Sequence, residues 1–192
     1  MKKIVVFASG SGTNFQSVID TVNSGNIRAE IAGLIASKHG IGAIERAKAN
    51  NIPVQVIPSG TPDFSNKLLT QLDKWNLDLI VLAGYLSKIP DSVLEKFKNQ
   101  VINIHPSLLP KYGGRGYYGM RVHKAVLESG ETETGCSVHL VTEDYDEGPV
   151  LEQTVVPVKP DDTPESLAKR VLKEEHKLLP KVIANILNEK ID

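Results

Sequence analysis

The first two thirds of the chain alternate short apolar runs with helix-like segments. Runs such as "KIVVFA" and "DLIVLA" are continuous, which is typical of parallel strands buried on both faces. Between them lie helical segments, with Thr13 or Asn14 expected to cap the first and Thr61 the third. A βα repeat of this kind predicts an α/β fold with a doubly wound, mostly parallel sheet. The predicted strands are 3–8, 30–36, 53–57, 78–83 and 101–105, and the predicted helices are about 13–24, 42–50, 62–75 and 90–97.

The pattern changes after residue 105. Residues 106–119, "PSLLPKYGGRGYYG", contain two prolines and four glycines and therefore predict a long loop. After a helix at about 120–129, alternating strands at 135–141 and 150–158 predict an antiparallel C-terminal extension of the sheet. Thr163 opens a final helix, with Pro164 in its first position, that runs to about residue 187. With no repeat or linker in view, the pattern predicts a single domain over residues 1–192.

Charge and cysteine content narrow the classes of partner. Lysine and arginine number 22 against 23 acidic residues, and no basic block stands out, which argues against nucleic acid and membrane surfaces. The apolar run after the first two lysines ends at Ala8, too short for a secretory signal. The single cysteine, Cys136, excludes an internal disulfide and favours the reducing cytoplasm. We expect a cytoplasmic protein with small-molecule partners, either a monomer or a homodimer.

A glycine-rich turn, "FASGSGTNF", joins the first strand to the first helix. Backbone amides and the helix dipole can hold a phosphate at such a turn. A P-loop would need Lys-Ser or Lys-Thr after Gly12, and a dinucleotide fingerprint would need a small residue in place of Phe15. The turn therefore predicts a phosphomonoester site, and the alternative is a plain βα turn. The predicted binding residues are Ser11, Gly12, Thr13 and Asn14.

An amide and an imidazole share one face of the strand at residues 101–105. Side chains alternate along a strand, so Asn103 and His105 point to one side and the two isoleucines to the other. Open α/β sheets bind ligands at the carboxyl ends of their strands. An amide can hold a developing oxyanion and an imidazole can exchange a proton, which suits acyl transfer. The alternative is a hydrogen-bonded structural pair.

A carboxylate in the turn "VTEDYDEGPV" completes this set. Asp146 precedes the turn into the next strand, and an aspartate facing His105 would raise the pKa of the imidazole and orient its ring. A solvated acidic loop is the other interpretation. The five histidines show no metal-ligand spacing, so no metal is expected. His139 and Cys136 are expected to be structural, Cys136 as a small buried hydrophobe.

The chain resembles the folate-dependent formyltransferases in four segments, in the right order and over almost its whole length. The segments are "FASGSGTNFQ", "LIVLAGYLSKIP", "VINIHPSLLPKY" and "GCSVHLVTEDYDEGPVL". The most specific feature is N-x-H-P-S-L-L-P followed later by D-x-G-P. Two places depart from the family pattern. The stretch "GGRGYYGMRVH" is longer than the usual connection, and Ser87 and Lys88 stand where many members have an arginine and a hydrophobic residue.

The resemblance implies a Rossmann-like formyltransferase fold and a specific reaction. That reaction moves a formyl group from 10-formyltetrahydrofolate, a co-substrate, to the amine of glycinamide ribonucleotide in purine synthesis, without a metal. By motif, catalysis falls on Asn103, His105 and Asp146, the nucleotide phosphate on residues 11–14, and the rest of the ribonucleotide on Glu175. Residues 1–100 would form the phosphate-binding half and residues 101–192 the catalytic and folate-binding half. The implied folate-lining residues are Tyr85, Leu86, Ser87, Lys88, Ile89, Asn103, Val141, Thr142, Glu143 and Asp144.

Two other kinds of protein stay open as alternatives. One is a related enzyme that uses formyltetrahydrofolate, either a hydrolase or another amine formyltransferase such as the methionyl-tRNA enzyme. The hydrolase normally carries an extra N-terminal domain and the tRNA enzyme an extra C-terminal one, so a length of 192 residues disfavours both. The other is a noncatalytic phosphosugar-binding module that uses the glycine-rich turn alone.

Overall fold

A seven-stranded sheet forms the centre of the computed structural model, which describes residues 1–188. The strand order is β3-β2-β1-β4-β5-β6-β7. Strands β1 to β5 pair in parallel, whereas β6 pairs antiparallel with both β5 and β7. The predicted parallel sheet with an antiparallel C-terminal extension is therefore confirmed. The strands are β1 (Lys2–Ala8), β2 (Ala29–Ala36), β3 (Val54–Val56), β4 (Leu79–Leu82), β5 (Val101–His105), β6 (Glu133–Leu140) and β7 (Val150–Pro157).

Helices cover both faces of the sheet. They are α1 (Thr13–Asn23), α2 (Gly42–Ala49), α3 (Phe64–Trp75), α4 (Asp91–Lys96), α5 (Met120–Glu128) and α6 (Pro164–Asn188). One buried apolar cluster lies between the sheet and α1, α2, α5 and α6, and a second lies between the sheet and α3 and α4. This two-sided cover explains why β1 and β4 read as continuous apolar runs. Helix α6 opens as predicted at Thr163, whose hydroxyl accepts a hydrogen bond from the Ser166 amide at 3.2 Å.

Two predicted helix caps are wrong. The residue before α1 is Gly12, with a φ of 73° and no side-chain cap, so neither Thr13 nor Asn14 caps that helix. Helix α3 begins at Phe64 rather than after Thr61, because the Thr61 hydroxyl donates into a separate preceding turn. At α3 a local side-chain-to-backbone hydrogen bond thus displaces the cap that sequence preference favours.

Cys136 was expected to be a small buried residue, and the structure places it in the core. Cys136 is a free, fully buried thiol in β6, and burial raises its pKa to about 12, as suits a structural residue.

Every helix of the described chain is too short or too polar to cross a lipid bilayer.

Candidate active site

A cavity of about 720 Å³ opens at the carboxyl ends of β1, β4 and β5. These ends lie at one edge of the parallel part of the sheet, where open α/β sheets bind ligands. Every residue that the sequence analysis names for catalysis, phosphate binding, ribonucleotide binding or folate binding lines this cavity. The wall is drawn from residues 10–14, 82–89, 103–106, 114–123, 139–146 and 168–175.

Asn103 and His105 both lie next to the carboxylate of Asp146. The Nδ2 atom of Asn103 lies 3.5 Å from Oδ1 of Asp146, and Nδ1 of His105 lies 3.5 Å from Oδ2. Strand β5 presents the first two side chains on one face, while Asp146 comes from the turn that follows β6. An amide donor, a basic ring nitrogen and an acid are therefore in contact within one cavity, as acyl transfer requires.

Asp146 is fixed by its backbone and by its neighbours. Its φ of 58° is uncommon for a residue with a side chain, and the Gly114 amide donates to Oδ2 at 2.9 Å. Burial alone would raise the pKa of this carboxyl, but His139, His105 and the Gly114 amide together lower it. Asp146 is therefore ionised at neutral pH.

Burial and the neighbouring carboxylate of Asp146 shift the pKa of His105 in opposite directions. Since a carbonyl only accepts, the Nε2–H of His105 donates to the carbonyl oxygen of Tyr112, at 2.8 Å, and Nδ1 is left facing Asp146. Burial lowers the pKa of the imidazole, and the carboxylate of Asp146 offsets only part of that effect. Asp146 thus raises the pKa of His105 as predicted, but desolvation of the ring has the larger effect, so the net shift is downward. At neutral pH the ring is neutral and Nδ1 is a base.

His139 lies inside the site, which the sequence analysis missed. It is directly opposite Asn103 in the β5–β6 register, and its Nε2 lies 3.0 Å from Nδ2 of Asn103 and 3.4 Å from Oδ1 of Asp146. Its Nδ1–H donates to the carbonyl of Leu140 at 2.9 Å. Nε2 therefore lies between the amide of Asn103, from which it accepts, and the carboxylate of Asp146. A cross-strand pairing of β5 with β6 would have been the signal, but the sequence does not give the register.

Acidic and imidazole groups cluster here without forming a metal centre. Across residues 1–188, no three histidine, cysteine, aspartate or glutamate side chains are grouped so as to hold a metal ion.

The turn between β1 and α1 presents free backbone donors to the cavity. The left-handed φ of 73° at Gly12 turns the chain directly into α1. In the described part of the chain, the amides of Ser11, Gly12 and Thr13 have no hydrogen-bond acceptor. The first amides of a helix lack intrahelical partners and carry the positive end of the helix dipole. This geometry can bind an anion.

Asn14 and Glu175 form a buried polar corner of the same cavity. Nδ2 of Asn14 donates to Oε2 of Glu175 at 2.5 Å. Burial raises the pKa of Glu175, and the hydrogen bond from Asn14 offsets this only in part. Oδ1 of Asn14 is buried and has no partner among residues 1–188. Since an unpaired buried acceptor is costly, this corner is suited to a ligand that carries hydroxyl or amide donors.

Two loops named for folate binding line the cavity, at residues 85–89 and 141–144. Burial raises the pKa of the Tyr85 phenol to about 12, so this group stays protonated. Ser87 donates to the Ser59 hydroxyl at 3.0 Å, and Lys88 forms a half-exposed ion pair with Asp91, at the start of α4, at 3.2 Å. Ser87 and Lys88, which depart from the family pattern, therefore have partners at the surface of the cavity.

The long loop after β5 also contributes to the wall. Tyr117 and Tyr118 line the cavity while 40% and 43% exposed, so they lie at its mouth. His123, on α5, is buried, and its Nδ1 has no partner within residues 1–188. Burial, with a smaller contribution from His105, lowers the pKa of His123 to about 4. The sequence assigned no role to these residues, although the unusual length of this connection marked the segment.

Residues 2–183 match the family described as "Formyl transferase", and the chain belongs to that family. It is 44% identical over 195 residues to the chloroplastic phosphoribosylglycinamide formyltransferase of Arabidopsis thaliana, covering 99% of this chain and 67% of that protein. It is 39% identical to the phosphoribosylglycinamide formyltransferase of Haemophilus influenzae, covering 95% of this chain and 86% of that protein. The solved structure of glycinamide ribonucleotide transformylase 1 from Geobacillus kaustophilus has a TM-score of 0.90 and 38% identity over 98% of this chain and 100% of that chain.

The matches confirm the predicted fold and transferase class. The chain spans 13% of another relative, the trifunctional purine biosynthetic protein adenosine-3 of Chironomus tentans, at 39% identity. The same unit thus also occurs within a much longer protein.

Proposed function

We propose that the chain transfers the formyl group of 10-formyltetrahydrofolate to the amine of glycinamide ribonucleotide, giving formylglycinamide ribonucleotide and tetrahydrofolate in purine synthesis. The observation that carries this proposal is the contact of Asn103 and His105 with the carboxylate of Asp146, in the same cavity as an anion-binding turn. The three side chains suit acyl transfer to an amine, and the turn suits a substrate phosphate. The names of the relatives point to the same activity.

The reaction needs a neutral amine, a stabilised oxyanion and a proton transfer. Formyl folate supplies the formyl group in an activated form. The amine nitrogen bonds to the formyl carbon, and the bond from that carbon to the folate nitrogen breaks. One proton leaves the amine and one proton arrives at the folate nitrogen, so the net reaction neither consumes nor releases a proton.

We assign the chemical roles to three side chains of this chain. Asn103 Nδ2 donates to the formyl oxygen, on which negative charge grows. Of its two contacts, the one to Asp146 at 3.5 Å is weaker than the one to His139, so the amide can turn from Asp146 to that oxygen. His105 Nδ1 accepts the amine proton, because the buried ring is neutral at neutral pH. The ionised Asp146, 3.5 Å away, then stabilises the imidazolium.

Substrate binding is assigned to the remaining walls. Residues 11–14 receive the phosphate, and the Asn14–Glu175 corner receives donors of the ribonucleotide. Residues 85–89 and 141–144, with Asn103, receive the folate. A cavity of about 720 Å³ fits small-molecule ligands, and the unpaired Oδ1 of Asn14 marks a place for a bound donor.

Three further proposals concern the whole molecule. The chain acts as one domain, with a phosphate-binding half at 1–100 and a catalytic and folate-binding half at 101–192, supported by the continuous sheet; residues 189–192 lie outside the described residues. It acts as a monomer or homodimer on small molecules, not on nucleic acid or membranes, supported by a net charge of −1. It works in the cytoplasm, supported by the free thiol of Cys136.

The test is a turnover assay with glycinamide ribonucleotide and 10-formyltetrahydrofolate, followed by the absorbance of tetrahydrofolate and by mass spectrometry of the formylated nucleotide. The proposal requires both products in equal amounts. Release of formate without added nucleotide would identify a hydrolase. Formylation of charged initiator tRNA instead of the nucleotide would identify the tRNA enzyme. Binding of the nucleotide without turnover would identify a noncatalytic module.

A further inference from the structure

The anion-binding turn lies directly against the first turn of α2. A Cβ atom added to Gly12 would lie 2.7 Å from Cα of Ala43, and one added to Gly42 would lie 2.9 Å from the carbonyl oxygen of Ser11. The Ala43 amide also donates to the carbonyl of Gly10 at 3.1 Å. Neither glycine has room for a side chain, so the turn and the start of α2 pack backbone against backbone.

Arg46, one turn further along α2, holds this turn with a charged hydrogen bond. Its Nε–H donates to the carbonyl oxygen of Ser11 at 2.9 Å, and its Nη1 donates to Oε1 of Gln16 at 3.1 Å. The C=O and N–H groups of a trans peptide point in opposite directions. Because the Ser11 carbonyl faces Arg46, the N–H of Gly12 points away from Arg46, and it has no acceptor within residues 1–188.

We propose that Arg46 is a positioning residue for the phosphate of the substrate. It fixes the orientation of the peptide between Ser11 and Gly12, so that the free amides of the turn stay directed at the phosphate. The side chains of residues 11–14 carry no positive charge, and Arg46 brings a guanidinium to the backbone of that segment. This inference rests on the proposed function, because it takes the ligand of the turn to be a phosphomonoester.

The arrangement specifically requires an arginine. The planar guanidinium donates through Nε to the turn and through Nη1 to Gln16 at the same time, which fixes the direction of the first bond. A lysine at position 46 would keep the charge but would replace this rigid fork with a single flexible ammonium.

The experiment compares the wild type with Arg46→Ala, Arg46→Lys and Lys48→Ala. Lys48 is a matched control, since it lies on the same helix and forms an exposed ion pair with Glu45 at 3.0 Å. We expect Arg46→Ala to raise the KM for glycinamide ribonucleotide about 10-fold, as loss of a charged hydrogen bond would. The kcat and the KM for formyl folate should stay within about twofold of the wild type, as should all values for Lys48→Ala. Arg46→Lys should restore only part of the affinity.

Calorimetry separates positioning of the phosphate from general damage. Arg46→Ala should bind glycinamide ribonucleotide about 10-fold more weakly than the wild type does. It should bind the dephosphorylated riboside as tightly as the wild type does. An Arg46→Ala variant with wild-type affinity for the ribonucleotide would overturn the inference, as would an equal loss for ribonucleotide and riboside. If Arg46→Ala does not fold, the same comparison with Arg46→Lys decides the question. If the wild type neither binds nor formylates the ribonucleotide, the proposed function fails, and ribose 5-phosphate then serves as the probe for Arg46.

Discussion

Substitution of Asn103 tests the proposed mechanism most directly. Its Nδ2 lies 3.0 Å from Nε2 of His139 and 3.5 Å from Oδ1 of Asp146, so an amide donor stands beside an ionised acid. Asn103→Ala removes the donor, and the loss of one such oxyanion donor lowers kcat by about 10²–10³-fold, or about 2.7–4 kcal/mol. The KM values for both substrates should change much less, since the bond strengthens only as charge develops.

Asn103→Asp separates oxyanion stabilisation from packing. It keeps the shape of the side chain but places a second carboxylate next to Asp146, where two like charges about 4 Å apart repel by about 4 kcal/mol at an effective dielectric constant of 20. The same charge also repels the developing oxyanion, so kcat should fall in the order wild type, Ala, Asp. If Asn103 served only packing, the isosteric Asp would be the milder change.

The assay is steady-state kinetics with both substrates varied, and melting temperatures confirm that each variant is folded. A folded Asn103→Ala enzyme with a kcat within about threefold of the wild type would refute the oxyanion role, because it would leave no more than about 0.7 kcal/mol for the bond. An Asp variant more active than the Ala variant would refute the electrostatic part of the argument.

Three further predictions concern the protonation of His105, the turn between β1 and α1, and the loop after β5. Asp146→Asn removes the charge that raises the pKa of His105, so the acid limb of the kcat/KM profile, below which the base is protonated, should move to lower pH; an unchanged profile would contradict the pairing. Gly12→Ala should lower the free energy of unfolding by about 2–5 kcal/mol, since a Cβ would lie 2.7 Å from the α2 backbone at a φ of 73°. Gly25→Ala, at a φ of 77° but with nothing within 4 Å, should cost only about 1–2 kcal/mol in the same denaturant titration. The Ser137 hydroxyl accepts from the Leu109 amide and donates to the Ser107 carbonyl, both in the loop after β5. Ser137→Ala leaves these two groups unpaired, so it should lower the free energy of unfolding by about 1–3 kcal/mol and raise amide exchange in that loop. Unchanged exchange would count against the role of this hydroxyl.

The fold class follows from the sequence by itself, because it depends on local patterns. Continuous apolar runs require cover on both faces, and alternation of these runs with helices leaves a parallel sheet as the solution. The turn at residues 11–14 and the shared face of Asn103 and His105 are equally local, since the first depends on glycine and the second on strand alternation. Asp146, far along the chain, was suggested by its place in an acidic turn, and the family motifs then named it as the third member.

Only the tertiary structure decided how these groups interact. His139 joins the site through the β5–β6 register, which is a long-range choice that no local pattern specifies. The pKa of His105 depends on how much water the fold removes from the ring, and that burial outweighs the carboxylate that the sequence could suggest. The hold of Arg46 on the turn likewise requires α2 to pack against α1. Local chemistry is encoded in neighbouring residues, whereas solvation and cross-chain contacts exist only once the chain is folded.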